Sequence, residues 1–349
     1  MTDPPIGDTV ATLGERALID RIRARTPAPP DWVPVAIGDD AAVVVPERNA
    51  LDVVTTDALV EGVHFDCSFV PPGAIGHRAL AANLSDLAAM GARPRAAVLS
   101  LGLPDRLKVA EFDAIIDGLL ALGSTHGVVL VGGNIARSPG PLFVDITLLG
   151  SVQKRRILRR GGARPGDVLY VSGVVGSAAA GLEYCRAHPA EALRVGRGAD
   201  PADRPLESAV DRFLYPDPRI RLGWTLARNR AARACVDLSD GLADAVHQLA
   251  AAGRVGAIVE SDRVPIDPDV RRWFERDGRD PVLAAVTGGD DYELLFAMPA
   301  RHLRLLEDVA RRVGRLPLTR IGTVTRDLRV VLRRDDRDEP LPRGFTHFR

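Results

Sequence analysis

The sequence predicts an α/β fold, two mixed α/β domains of α+β layers, and three observations carry that prediction. The chain has 349 residues, a length that suggests two domains. Each half alternates β-type apolar runs with stretches of helical spacing, the pattern of sheet-and-helix layers and not of a helix bundle. Between the halves lies Arg159-Arg160-Gly161-Gly162-Ala163-Arg164-Pro165-Gly166-Asp167, a junction of glycine, proline and charge. The expected organisation is a partly mobile segment over 1–30, an N-terminal domain over 31–155 and a C-terminal domain over 156–349.

In the first half, Glu15 to Arg25 reads as a helix ending in Thr26-Pro27-Ala28-Pro29-Pro30. Two β-type runs follow, Val35 to Val45 and Leu51 to Leu59, separated by the turn-like Glu47-Arg48-Asn49. From Ile75 to Met90, Leu80, Leu84, Leu87 and Ala88 recur at helical spacing, with Gly91 and Pro94 as the stop. Arg95 to Leu103 and Val128 to Val131 read as strands on either side of a helix over Val109 to His126. Alternation in Leu142 to Val152 puts Leu142, Val144, Ile146 and Leu148 on one strand face.

The second half begins with a strand over Val168 to Val171 and a helix over Gly176 to Tyr184. The stretch 187–217, rich in Ala, Arg, Pro and charge, is expected to be a surface excursion, partly helical at best. A second layer then reads as strand Ala234 to Val236, helix Gly241 to Ala252, strand Ala257 to Glu260 and helix Asp267 to Gly278. Strand Glu293 to Ala297, helix Arg301 to Val313 and a β pair near Ile321 and Val330 close the chain.

Composition excludes several function classes. Lys+Arg 46 balances Asp+Glu 46, so no global basic field recruits nucleic acid or anionic lipid. Cys67, Cys185 and Cys235 are far apart and form no CxxC pair, against both a disulfide framework and a zinc site. No apolar run approaches the ~18 residues of a membrane span, and the N-terminus lacks a signal-peptide core, so the expected location is the cytoplasm. There is no GxxxxGK[ST], and Lys108 and Lys154 are the only lysines, which argues against a P-loop NTPase. At Gly173-Val174-Val175-Gly176, Ser172 replaces the first glycine of a dinucleotide fingerprint, leaving a helix-opening turn whose amides can help bind phosphate.

Acidic clusters recur at the ends of apolar stretches: Ile37-Gly38-Asp39-Asp40, Thr55-Thr56-Asp57, Asn83-Leu84-Ser85-Asp86, Val236-Asp237-Leu238-Ser239-Asp240-Gly241 and Gly288-Gly289-Asp290-Asp291. Any one of them is explained as a turn or a helix cap. Five together make sense as oxygen ligands for hard cations such as Mg²⁺, which in turn hold phosphates. Ser239 and Asp240 suit the start of a helix, whereas Asp237 lies on the strand side and a cap does not account for it. The run Gln153 to Arg160 is arginine-rich before a Gly-Gly turn, and the guanidinium fork suits phosphate oxygens.

The strings IGDDAAVV (37–44), TTDALVEGVHF (55–65), ANLSDLAAMGARP (82–94), VGGNIARS (131–138), RRGGARPGD (159–167), VDLSDGLADA (236–245) and GGDDYELLF (288–296) resemble the thiamine-monophosphate kinase family. That family belongs to the aminoimidazole-ribonucleotide synthetase superfamily, and the resemblance is colinear over about residues 12–348. It implies ATP-dependent phosphorylation of thiamine monophosphate to thiamine diphosphate, with ATP as co-substrate and several Mg²⁺ ions. It also implies two domains of the aminoimidazole-ribonucleotide synthetase-like type, the N-terminal one binding ATP and Mg²⁺, in a homodimer paired through N-terminal strands. By resemblance, Asp40, Asp57, Asp86 and Asp237 are the catalytic Mg²⁺ ligands, with Thr55, Thr56 and Asn134 adding oxygens and Asp240 holding a further ion. Asn134 stands where the family often has Asp, and so offers a carbonyl oxygen instead of a carboxylate. The Gly132-Gly133 turn, Asn134, Arg160 and Ser239 are assigned to the nucleotide, and His64, Asp290 and Phe345 to thiamine monophosphate.

A phosphate monoester oxygen is largely ionised near neutral pH, its second pKa being about 6, so this reaction needs charge neutralisation and in-line positioning more than a general base. Three alternatives stand beside this reading: another ATP-using member of the superfamily, a metal-dependent phosphohydrolase, and a nucleotide sensor without turnover. Formation of thiamine diphosphate separates them.

Overall fold

The computed structural model describes residues 9–195 and 206–344. The expected mobility of the first residues and the centre of the 187–217 stretch therefore fall partly outside the described residues, and Phe345 lies outside them altogether. The chain forms two compact units, one comprising residues 1–83, 94–151 and 188–197, the other 84–93, 152–187 and 198–349.

The first unit contains α1 (Val10–Leu13), α2 (Glu15–Arg25), β1 (Leu51–Val60), most of α3 (Pro72–Ala89), β2 (Arg93–Leu103), α4 (Val109–His126), β3 (Val129–Arg137) and β4 (Phe143–Val152). Its sheet runs β1-β4-β2-β3, with β2 and β3 parallel. Burial follows periodicity: Ile75, Ala79 and Leu80 of α3 and Phe112, Ile115, Ile116 and Leu119 of α4 are buried, as are Val144, Ile146 and Leu148 on one face of β4. The two helices touch backbone to backbone. A Cβ on Gly76 would stand 1.8 Å from the Ile115 carbonyl oxygen, and one on Gly118 would stand 2.0 Å from that of Gly73.

Where alternation predicts a strand over Val35 to Val45, the chain makes only isolated bridges, Val35 with Val43 and Ile37 with Asp39. Gly38 adopts φ 122, so the chain turns back at that point and cannot run on as one strand. The opposite error occurs at Gly132-Gly133, read as a turn: both sit in β3, opposite Val98 and Leu99. Gly133 is there because a Cβ would lie 2.0 Å from the Leu99 carbonyl oxygen.

The second unit contains β5 (Asp167–Ser172), α5 (Ser177–Ala187), α7 (Glu207–Leu214), α8 (Ile220–Asn229), β6 (Ala234–Asp237), α9 (Leu242–Gly253) and β7 (Gly256–Glu260). It continues with α10 (Pro268–Arg276), α11 (Pro281–Thr287), β8 (Leu294–Pro299), α12 (Leu303–Val313), β9 (Leu318–Thr325), β10 (Val330–Arg334) and β11 (Arg337–Pro340). The short α6 (Pro189–Ala192) belongs to the first unit. The second unit's seven-stranded sheet has the order β11-β10-β7-β9-β5-β8-β6 and is mixed, since β7 and β10 are parallel while β5 is antiparallel to both neighbours. Within the 187–217 stretch, α7 buries Ala209, Val210, Phe213 and Leu214, and Gly181 of α5 lets the Ala209 carbonyl approach. No helix among the described residues is long and apolar enough to cross a membrane.

Candidate active site

Asp237 ends β6 and is only 5% exposed. The Ser85 hydroxyl, near the end of α3, donates to its Oδ2 at 2.9 Å. Burial and the neighbouring Asp86 charge push Asp237 up to about 7, while Ser85 and the charge of Arg160 pull it down. Two carboxylates and a guanidinium are thus within electrostatic reach of one another. Like charges held beside each other in a buried place are unstable alone and are relieved by a dication.

The turn after Asp237 is wired to the segment after α11 by backbone bonds. Leu238 N donates to Glu293 O at 2.9 Å, Tyr292 N to Leu238 O at 3.0 Å and Asp290 N to Ser239 O at 2.7 Å. Glycines make this contact possible: a Cβ on Gly289 would meet Ser239 O at 2.7 Å, and one on Gly241 would meet Gly288 O at 2.6 Å. The side chains of Ser239 (exposed), Asp240 and Asp290 (both half-buried) therefore stand on adjoining turns. The described chain ends against the same place, because a Cβ on Gly344 would lie 2.2 Å from Asp240 O.

Arg160 is exposed. It precedes Gly161 and Gly162, which run tightly along backbone: their Cβ atoms would meet Ala252 O at 2.7 Å and Arg233 O at 2.3 Å. The junction glycines thus hold Arg160 on a fixed stretch of chain instead of a loose linker.

In the first unit Asp40 is exposed, and its amide donates to Asp39 Oδ1 at 2.9 Å. Thr55, Thr56 and Asp57 are consecutive in β1. Period-two alternation sends Thr55 and Asp57 to one face and Thr56 to the other. There the Thr56 hydroxyl donates to Asp145 Oδ1 at 3.3 Å and accepts from Thr147 at 3.2 Å. Asn134 is exposed in β3. The His64 Nδ1 accepts from Val60 N at 3.1 Å, which places its proton on Nε2, and Arg78, 1% exposed, donates to the His64 carbonyl at 3.4 Å.

Two further carboxylates of the GGDDYELLF string, Asp291 and Glu293, are buried behind Asp290. Glu293, fully buried, accepts from Ser172 Oγ at 2.5 Å, from Arg212 at 2.6 Å and from Arg219 at 2.7 and 2.5 Å. Asp291 accepts from the amides of Gly176 (2.6 Å) and Ala178 (3.1 Å). Burial pushes Asp291 up to about 7 against those two bonds. The amides at the start of α5, expected to help bind a phosphate, are therefore occupied by the chain's own carboxylate. Cys67 is not an activated nucleophile, because burial and Glu61 push its thiol up to about 12.

Among the described residues no group of three or more His, Cys, Asp or Glu is arranged to hold a metal ion. The Asp86–Asp237 pair nevertheless fits magnesium, which takes one or two carboxylates plus substrate phosphates and water in preference to an all-protein cage.

Two family models match the chain, "AIR synthase related protein, N-terminal domain" over residues 38–152 and "AIR synthase related protein, C-terminal domain" over 164–335. The thiamine-monophosphate kinase of Synechococcus elongatus is 36% identical over 349 residues, covering 97% of this chain and 98% of the relative. The crystal structure of thiamine-monophosphate kinase from Stenotrophomonas maltophilia K279a is 40% identical with a TM-score of 0.78, covering 90% of this chain and 95% of its own. A further solved structure, AaThiL complexed with AMPPCP and TMP, is 30% identical with a TM-score of 0.73, covering 98% and 100% of the two chains. With its motifs in register and this similarity running nearly end to end, the chain belongs to the thiamine-monophosphate kinase family.

Proposed function

We propose that this chain transfers the γ-phosphoryl group of ATP to thiamine monophosphate, giving thiamine diphosphate and ADP. The observation that carries the reading is the buried Asp237 beside Asp86 and within the field of Arg160, a carboxylate pair and a cation suited to polyphosphate. Relatives of that name across bacteria support it, as does the related complex with AMPPCP and TMP. Incubation with ATP, Mg²⁺ and thiamine monophosphate yields thiamine diphosphate on this reading. Release of inorganic phosphate with no thiamine diphosphate would identify a phosphohydrolase instead.

When bound, magnesium neutralises the repulsion between donor and acceptor phosphates and helps align them. Asp40, Asp57, Asp86 and Asp237 are its proposed carboxylate ligands, with Thr55 and Asn134 adding neutral oxygens and Asp240 serving a further ion. Thr56 is a further proposed oxygen ligand, and its hydroxyl hydrogen-bonds with Asp145 and Thr147. Gly132 and Gly133 offer a side-chain-free stretch of β3 to the nucleotide, and Arg160 and Ser239 hydrogen-bond its phosphates. His64 presents Nε2–H as a donor to thiamine monophosphate, Asp290 balances the cationic thiazolium, and Phe345 stacks on a ring. No side chain is required as a base, because the acceptor oxygen arrives ionised.

The chain works in the cytoplasm as a homodimer in this proposal. β1 is an edge strand with Leu51 44% and Val54 63% exposed, surface that pairing with a second copy would cover. Light scattering on the purified protein tests it, and a monomer at working concentration contradicts it.

A further inference from the structure

We infer that Tyr292 is a positioning residue for the acceptor pocket, its hydroxyl fixing the carboxylate of Asp290. The inference rests on the proposed role of Asp290 toward thiamine monophosphate. The Tyr292 side chain is buried, 6% exposed, and its hydroxyl donates to Asp290 Oδ1 at 3.1 Å.

The segment around this bond is pinned by several hydrogen bonds. Asp291 is fixed by two amides at the start of α5, and Glu293 by Ser172 and two arginines. Between and beside these pins, Asp290 and Tyr292 adopt φ 66 and φ 48, the left-handed region that side chains other than glycine's seldom occupy. Such conformations persist where the surroundings over-determine them, and they concentrate at ligand-binding sites. Residues 291 and 293 anchor the segment through their side chains, while 290 and 292 are tied by their amides to Ser239 and Leu238.

The hydroxyl is the telling atom. Phenylalanine would fill the same buried space, so packing alone does not require an oxygen there. A half-buried aspartate on a turn samples several rotamers, and a hydrogen bond to the charged form selects one of them. A carboxylate fixed in advance loses less freedom when it meets a cationic ring, and the gain appears as affinity for the acceptor.

The test is a double-mutant cycle of Tyr292→Phe with Asp290→Ala, read as KM for each substrate and as calorimetric affinity for thiamine monophosphate. Tyr292→Phe is expected to raise the KM for thiamine monophosphate about tenfold, the scale of one charge-assisted hydrogen bond, and to leave the KM for ATP and the Tm unchanged. In the Asp290→Ala background it should add nothing, since its partner is gone. Equal effects of Tyr292→Phe in both backgrounds, or no effect beside an active Asp290→Ala, overturn the positioning role. An Asp290→Ala variant with wild-type KM for thiamine monophosphate removes the acceptor reading of Asp290 itself, and the inference with it.

Discussion

The proposed site residues of the two units are held in different ways. In the second unit Asp237 ends β6, and Ser239 and Asp290 belong to turns stitched together by backbone hydrogen bonds and backed by Glu293, which is fully buried. In the first unit Asp40, Thr56 and Asn134 are exposed, on a loop and on two strands, and Thr56 is bonded to Asp145 and Thr147. The turns of the second unit are therefore fixed by backbone bonds, whereas the first unit's residues are held through strand positions and side-chain bonds. Burial has a cost in the second unit: desolvation, and after it the neighbouring Asp86 charge, raise Asp237 to about 7.

The comparison breaks most visibly at Glu293. Glu293→Ala leaves Arg212 and Arg219 without their shared buried carboxylate, and removing one partner of such a pair costs about 3–5 kcal/mol. Urea unfolding measures it, and a loss below about 1 kcal/mol would mean that the turn is held by its backbone bonds alone. Next come the proposed metal ligands. Asp237→Asn and Asp40→Asn should each lower kcat by about 10²-fold, or about 2.7 kcal/mol, the scale of losing one electrostatic group at a transition state. Only Asp237→Asn should also raise the Tm at pH 8, because it removes a charge that burial disfavours. Asp40→Asn should leave the Tm unchanged.

A smaller effect is expected at Arg160. Arg160→Ala should raise the KM for ATP about tenfold, whereas Lys154→Ala, also exposed but without a field on Asp237, should not. Equal behaviour of the two variants would make the basic run a solvated face.

The gentlest probe is pH. Asp291 has a folded pKa of about 7 against an unfolded value near 3.9, so between those values the folded state binds more protons. Stability therefore falls as pH rises from about 4 to about 7, and the penalty is complete above the folded pKa. Asp291→Asn should flatten this slope in unfolding midpoints compared between pH 5 and pH 8, and a slope unchanged from wild type would show that Asp291 is ionised throughout.

Much of the architecture was legible because burial follows period. The α3, α4 and β4 patterns are read directly from Leu80, Phe112 and Val144, and the acidic motifs mark the turns that carry them. What escaped has identifiable physical reasons. The bond from Ser85 to Asp237 spans 152 residues, that from Gly176 to Asp291 spans 115 and that from Arg212 to Glu293 spans 81, and no local pattern encodes such partners. Glu293 is hidden inside an apolar strand signal, and α8 within a stretch whose charges masked its buried Leu222 and Leu226. The capping pair Asp280-Pro281 before α11 was a readable start signal. The paired glycines 132 and 133 misled because glycine marks both turns and close strand approach.

The crossing of α3 and α4 has a practical consequence for rebuilding this protein. Gly76 meets Ile115 and Gly118 meets Gly73 with no side chain between them, so each helix is the mould of the other. A chimera that takes α3 from one relative and α4 from another is at risk even when every apolar residue matches, because the fit lies in atoms that are absent. The two helices are best exchanged as a single cassette, and shuffling libraries should place their breakpoints outside residues 72–126.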